Sequence, residues 1–251
     1  MIWITGDTHR VFDWLPGFCE EKNTTTEDVM IILGDAGINT SKVLDDDKQK
    51  ETLSALPITL FCIHGNHERR PEHLSSYELT LWHGGLVWRE AAYPTLLFAR
   101  DGEVFDLGGV QTLVIGGAYS VDKVRRQIRG WDWWADEQPS EEIRARVEGV
   151  LAARNWQIDA VLSHTCPRCY EPVEMFLMGI DQSRVDKATE DWLDTVETRL
   201  TYHRWFCGHY HTDKALCYDG GAKRIRFMYL DVRPWPVEGA AESDEVWRRW
   251  C

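Results

Sequence analysis

Leu60-Phe61-Cys62-Ile63-His64-Gly65-Asn66-His67-Glu68 carries an apolar run, too short for a helix, straight into an amide, an imidazole and a carboxylate. The run predicts a buried strand, ended at Gly65 by a residue able to take backbone angles closed to others. A strand that ends this way sets polar side chains at the mouth of a sheet. The arrangement recurs. Residues 1–5 open onto Gly6-Asp7-Thr8-His9-Arg10, and residues 29–33 onto Gly34-Asp35-Ala36-Gly37. Residues 160–162 lead into Ser163-His164-Thr165, and residues 205–207 into Gly208-His209-Tyr210-His211.

Helical segments separate the first strands. Residues 13–22 predict one, with Pro16 near its start, and residues 45–56 a second, ended by Pro57. Strands alternating with helices indicate an α/β sheet, in which ligands gather at the carboxyl ends of the strands. The middle of the chain reads differently. Five short apolar runs between residues 79 and 115 are separated by Gly84-Gly85, Asp101-Gly102 and Gly108-Gly109, which are hairpin signals. This meander predicts a second sheet. Residues 116–138 read as irregular and aromatic-rich, and contain Arg125, Arg126 and Arg129. Ser140 is placed to cap a helix to about residue 154, residues 186–200 form an amphipathic helix, and residues 215–218 and 223–230 flank Asp219-Gly220-Gly221 as a last hairpin. No low-complexity linker interrupts the chain, so one layered domain is expected over residues 1–233, followed by a tail of residues 234–251 with no assigned role.

Composition excludes some functions. At 251 residues and 43% hydrophobic, the chain buries a sizeable core, and its formal charge of −13 argues against holding duplex DNA by phosphate neutralisation. No apolar run approaches membrane-spanning length. Seven cysteines without a disulfide framework, and a start lacking a signal-peptide pattern, point to a reducing cytoplasm.

The five turns supply a distinctive set of donors. Alternate residues of an extended segment point the same way, so Asp7 with His9, and His209 with His211, each face one site. Oxygen and imidazole donors without thiolates suit manganese, iron, zinc or nickel. Asp7, His9, Asp35, Asn66, His164, His209 and His211 are more ligands than one ion requires, and a carboxylate shared by two ions explains the surplus.

In order, Asp-x-His, Gly-Asp, Gly-Asn-His-Glu, a lone His and Gly-His-x-His resemble the motifs of the calcineurin-like metallophosphoesterases over residues 6–211. The resemblance implies a four-layer sandwich of two mixed β-sheets flanked by helices. It places Asp7, His9 and His211 on one divalent ion and Asn66, His164 and His209 on a second, with Asp35 bridging. Two ions per chain are implied, manganese foremost, with iron, zinc or nickel as alternatives. His67, not a ligand in the family, is implied as the general acid that protonates the leaving oxygen. A hydroxide made between the metals is the implied nucleophile.

Departures from the family pattern also bear on function. Many members carry an acid at the position of Ile38, where it orients the Gly-Asn-His histidine; here Asn39 and Asp122 are the candidates for that task. The Asp-Arg-Gly continuation of the protein phosphatase branch is absent, although Glu68 is shared with that branch. Arg10, Arg125, Arg126 and Arg129 are candidate phosphate contacts. His64, His73, His83 and His203 fall outside the pattern and read as structural or solvated, with a place supporting a metal ligand open to His64, and Cys166 reads as a wall of the pocket rather than half of a zinc site. The expected activity is phosphomonoester hydrolysis on a small phosphoester or nucleotide. Phosphodiesterase or nuclease activity on nucleotides or single strands is the alternative, and a non-catalytic metal-binding scaffold the rival of another class.

Overall fold

In chain order the elements are β1 (Ile2–Thr5), α1 (Leu15–Lys22), β2 (Val29–Ile32), α2 (Val43–Ser54), β3 (Thr59–Cys62), β4 (Tyr77–Trp82), β5 (Gly85–Glu90), β6 (Leu96–Ala99), β7 (Val104–Leu107) and β8 (Val110–Ile115). There follow α3 (Lys123–Arg129), α4 (Glu141–Ala153), β9 (Ala160–Ser163), α5 (Ala188–Arg199), β10 (Arg204–Cys207), β11 (Lys214–Tyr218), β12 (Lys223–Phe227), β13 (Asp231–Pro234) and β14 (Trp247–Arg248). The computed structural model describes residues 1–235 and 246–249. One sheet has the order β14-β13-β1-β2-β3-β6-β5-β4 and the other β11-β12-β10-β9-β8-β7. Strands β1, β2, β3 and β6 are parallel, as are β8, β9, β10 and β12. The strands outside each of these blocks pair antiparallel, so both sheets are mixed.

Side-chain alternation along the strands creates the layers. From β2, Met30 and Ile32 pack with Leu15 and Phe18 of α1 and Leu53 of α2, while Val29 and Ile31 turn inward. Between the sheets they meet Phe61, Phe105, Leu162 and Phe206. On the far side, Leu113, Val161 and Trp205 of the second sheet pack on Ile143, Val147 and Leu151 of α4 and Leu193 and Val196 of α5. Helix, sheet, sheet and helix make four layers around three apolar cores. Central strands buried on both faces read as unbroken apolar runs, as β2 and β3 do.

The expected meander divides between the two sheets. Its first three strands extend the first sheet, because Leu96–Ala99 is buried on both faces and pairs parallel with β3. The chain crosses to the second sheet at residues 100–103, and only β7 and β8 belong there. Local signals fared better. Pro16 sits in the first turn of α1, where its missing N–H has no helical partner, and the Ser140 side chain caps α4 by accepting from Ile143 N–H. The region expected to be irregular contains the short helix α3. The last hairpin stops at Phe227, since the Asp213 carboxylate gathers the N–H groups of Tyr229, Leu230 and Asp231 into a turn.

Most of the expected tail lies outside the described residues. Of the part described, Trp235 is buried between the sheets and donates to the Leu107 carbonyl, and β14 pairs with β13. Among the described residues, no helix is long and apolar enough to cross a membrane.

Candidate metal centre

All five motif turns follow parallel strands at their carboxyl ends: β1, β2 and β3 in one sheet, β9 and β10 in the other. His9, Asp35, His209 and His211 have φ of 45°, 48°, 64° and 48°. Left-handed angles cost a non-glycine residue about 1–3 kcal/mol and persist where surrounding structure enforces them, often at functional sites. Two glycines permit the close approach. A Cβ on Gly65 would lie 2.1 Å from Asp35 N, and one on Gly208 would lie 2.1 Å from Asp7 Oδ1. The Gly65 turn thereby holds the Asp35 carboxylate and the Gly208 turn that of Asp7. His67 N–H donates to Asp35 Oδ1 at 2.9 Å, and His209 N–H donates to Asp7 Oδ1 and Oδ2 at 2.9 and 3.0 Å.

Two groups of donor atoms result, Asp7–His9–His211 and Asp7–Asp35–His164, each within 4.8 Å. In the first, His9 Nε2 and His211 Nε2 are 2.8 Å apart, and His211 Nε2 is 3.3 Å from Asp7 Oδ2. In the second, His164 Nε2 is 3.7 Å from Asp35 Oδ1 and 2.8 Å from Asn66 Oδ1. The His209 ring lies 5.1 Å from that of His164. Asp35 Oδ2 is 4.0 Å from His9 Nε2, so Asp35 faces both groups, and Asp7 belongs to both. No such group among the described residues contains a cysteine; Cys166 is buried against the Tyr210 hydroxyl.

The electrostatics favour a cation. Burial opposes ionisation of Asp7 and Asp35, yet surrounding imidazoles hold both below the usual carboxylate range: His211 and His164 for Asp7, and His67, His164 and His9 for Asp35. Burial pushes His209 down to about 3, leaving a neutral ring with a free lone pair. Burial also disfavours charge on His211, but its hydrogen bond with Asp7 prevails and raises its pKa. Buried anions facing converging imidazole nitrogens are donors that could hold a divalent metal ion.

His67 sits off both groups, 3.8 Å from Asp35 Oδ2. Its Nε2 lies 3.1 Å from Arg126 Nη2, and Arg126 is fixed by Asp122 at 2.8 Å and the Asp132 carbonyl at 3.2 Å. A guanidinium only donates, so Nε2 is the acceptor. Burial lowers the His67 pKa, Asp35 opposes that, and Arg126 adds to it. Asp122 therefore reaches His67 through Arg126. Asn39 does not take part: it accepts from Tyr77 OH at 2.9 Å, while Ile38 is buried in the apolar core.

A cleft of about 440 Å³ opens beside His9 and His67, and Arg10 and Arg126 line it. Arg125 and Arg129 do not; their guanidinium groups lie over Trp131 at 5.6 and 5.0 Å. Several supporting residues were not foreseen. Ser120 Oγ accepts from Asn66 Nδ2 at 2.9 Å and so fixes the amide with its oxygen toward His164. Glu68 Oε1 accepts from Gly65 N–H at 2.8 Å and Oε2 from Gly37 N–H at 3.2 Å, tying two motif turns together. Arg249 donates to the Asp7 carbonyl at 3.1 Å, and Tyr229 stacks on His211 at 4.6 Å. Only Glu68 had a sequence signal, as the last residue of its motif.

A family model described as calcineurin-like phosphoesterase matches residues 1–213. No curated protein matches the chain. Among solved structures, TT1561 of Thermus thermophilus is similar, with a TM-score of 0.52 and 14% identity over 92% of each chain. Phosphopantetheinyl hydrolase of Mycobacterium tuberculosis gives a TM-score of 0.42, at 14% identity over 91% of this chain and 88% of its own. At these identities the likeness concerns the fold alone. The match over residues 1–213 covers all five motif turns, and the chain belongs to the calcineurin-like phosphoesterase family.

Proposed function

We propose that the protein is a binuclear metal-dependent phosphomonoesterase of the cytoplasm. The observation that carries this reading is the meeting of two donor groups at Asp7, with Asp35 facing both. Asp7, His9 and His211 would hold one divalent ion, manganese foremost, and Asn66, His164 and His209 the second, with Asp35 between them. A pair of such ions, when bound, polarises phosphoryl oxygens and makes water a competent nucleophile near neutral pH.

The protein's own groups supply the rest. Backbone N–H groups of His67 and His209 fix the two carboxylates, and the Gly65 and Gly208 turns bring them within reach. Arg126 points donors at the position where a phosphate would rest beside His67. As the guanidinium turns to phosphate, His67 Nε2 is freed to take a proton and deliver it to the leaving oxygen, a step typically worth about 10²–10⁴-fold. All seven side chains expected to bind metal are present, which counts against a non-catalytic scaffold. Cys19, Cys62, Cys166, Cys169, Cys207 and Cys217 are free thiols, which suits a reducing compartment.

His67→Ala tests the reading. It should retain its metal, by elemental analysis, and lose far more activity on alkyl phosphates than on nitrophenyl phosphate, whose leaving group departs without a proton. Equal losses on both substrates would remove His67 as the acid. An inactive wild-type protein holding manganese would sink the phosphoesterase reading itself.

A further inference from the structure

The cleft beside the metal centre differs in charge from the rest of the chain. Arg10, Lys42 and Arg126 line it against the carboxylates of Asp45 and Asp132, whereas the whole chain carries −13. One of those carboxylates is already engaged: Asp132 accepts from the Ser41 hydroxyl and, at 2.8 Å, from Ser41 N–H. Arg10 is braced by the carbonyls of Gly37 and Asp45, each at 3.2 Å, and its charge is shared with the buried Asp46 carboxylate at 3.7 Å. Lys42, by contrast, is exposed and has no ion-pair partner among the described residues. Arg126 is the cation beside His67; Arg10 and Lys42 line the cleft from other segments, with Lys42 on the one leading into α2.

The volume, about 440 Å³, falls in the range of small-molecule sites, about 300–1,000 Å³, and exceeds what one phosphate needs. The Ser41–Asp132 contact ties together two of the segments that line the cleft. Trp131, 47% exposed, also lines the cleft and adds apolar surface to it.

We propose that Arg10 and Lys42 form a second anion subsite, and that the substrate is a small organic bisphosphate. This rests on the phosphoesterase reading, which seats the scissile phosphate beside His67. Water then cleaves one P–O bond, inorganic phosphate departs, the alcohol oxygen takes a proton, and the second phosphate stays on the product. Butanediol bisphosphate and butyl phosphate share an alkoxide leaving group and differ in the distal phosphate. Wild-type protein with manganese should prefer the bisphosphate in kcat/KM by about tenfold or more, as expected for a charge-assisted contact. Lys42→Glu, at an exposed position that does not threaten folding, should bring that ratio close to one. Equal kcat/KM for both esters in the wild type, or a preference untouched by Lys42→Glu, would overturn the proposal.

A second measurement separates this from the hydrolytic reading. Methylenediphosphonate is not hydrolysed, and calorimetry on metal-free protein records its binding without metal chelation. The wild type should bind it about tenfold more tightly than Lys42→Glu. Lys42-dependent binding without hydrolysis of any ester would leave the subsite standing and remove the phosphoesterase reading. Binding that is absent, or indifferent to Lys42, would remove the subsite even if both esters are hydrolysed.

Discussion

Glu68→Gln exchanges one oxygen for nitrogen at the junction of two motif turns. Glu68 is 1% exposed, and each of its oxygens accepts from a different turn, Gly65 N–H on one side and Gly37 N–H on the other. A glutamine amide offers one acceptor oxygen, so one of these N–H groups would face an NH₂ group instead. A buried donor left unsatisfied costs about 1–3 kcal/mol, and two opposed donors add repulsion, for an expected loss of about 2–4 kcal/mol. The loss depends on pH. Burial, reinforced by the Asp35 charge, holds the folded carboxyl well above its ordinary value of 4.5. The folded state therefore binds this proton more tightly than the unfolded chain. The side chain's contribution is fully present below about pH 4.5 and declines as pH rises toward the folded value, by up to about 1.4 kcal/mol per pH unit. Glutamine does not titrate, so the deficit of the variant is largest near pH 5 and shrinks toward pH 8. Urea unfolding of metal-free protein at three pH values, followed by tryptophan fluorescence, measures it. A deficit that stays constant or grows with pH would refute the reasoning.

Three further outcomes are expected. Asp35→Asn should lower the metal content by at least one ion per chain and reduce activity more than about 100-fold, beyond the range of outer-shell changes; full metal content by elemental analysis would contradict its place between the two groups. Gly208→Ala would drive a Cβ to 2.1 Å from Asp7 Oδ1 and 2.7 Å from the Leu33 carbonyl, and should cost at least about 1–3 kcal/mol of stability together with metal binding. An unchanged melting temperature would show that the turn yields. Ser120→Ala removes the acceptor that orients Asn66 and should weaken metal affinity about 10–100-fold in a chelator competition while preserving kcat at saturating metal; unaltered affinity would mean that Asn66 orients without help.

The sequence was most legible where chemistry and backbone conformation coincide. Asp7, Asp35 and His164 follow short apolar runs, and both the turns and the donor atoms carry their own local pattern. Sheet membership was not legible, because hairpin signals describe neighbours in the chain and say nothing of which sheet receives them. Leu96–Ala99 went to β3 through a parallel pairing that no local pattern encodes. The surroundings of His67 were legible in part, since of the two candidates Asn39 and Asp122 only Asp122 reaches it, through Arg126. Asn39 is close in sequence to the missing acid but turns to Tyr77, whereas Arg126 arrives from α3 with Asp122 behind it. Of the three arginines in that segment, only Arg126 lines the cleft, a distinction set by the helical phase of α3. Ser120 and Arg249 lie outside every motif and reach the site through hydrogen bonds that only tertiary structure creates.

The clasp between Asp7, His209 and Arg249 has a consequence for when the protein becomes competent during its synthesis. The backbone N–H that fixes the Asp7 carboxylate belongs to a residue 202 positions later in the chain, and the guanidinium on its carbonyl to one 242 positions later. At translation rates of about 5–20 residues per second, roughly 10–40 s separate Asp7 from His209. Until residue 209 is made, the nascent chain carries the Asp7 carboxylate without the backbone N–H that holds it, although Asp35, Asn66 and His164 have already been added. The clasp therefore closes only at a late stage of synthesis, and a ribosome that stalls before residue 209 releases a chain with most of the first sheet and no backbone N–H to hold the Asp7 carboxylate.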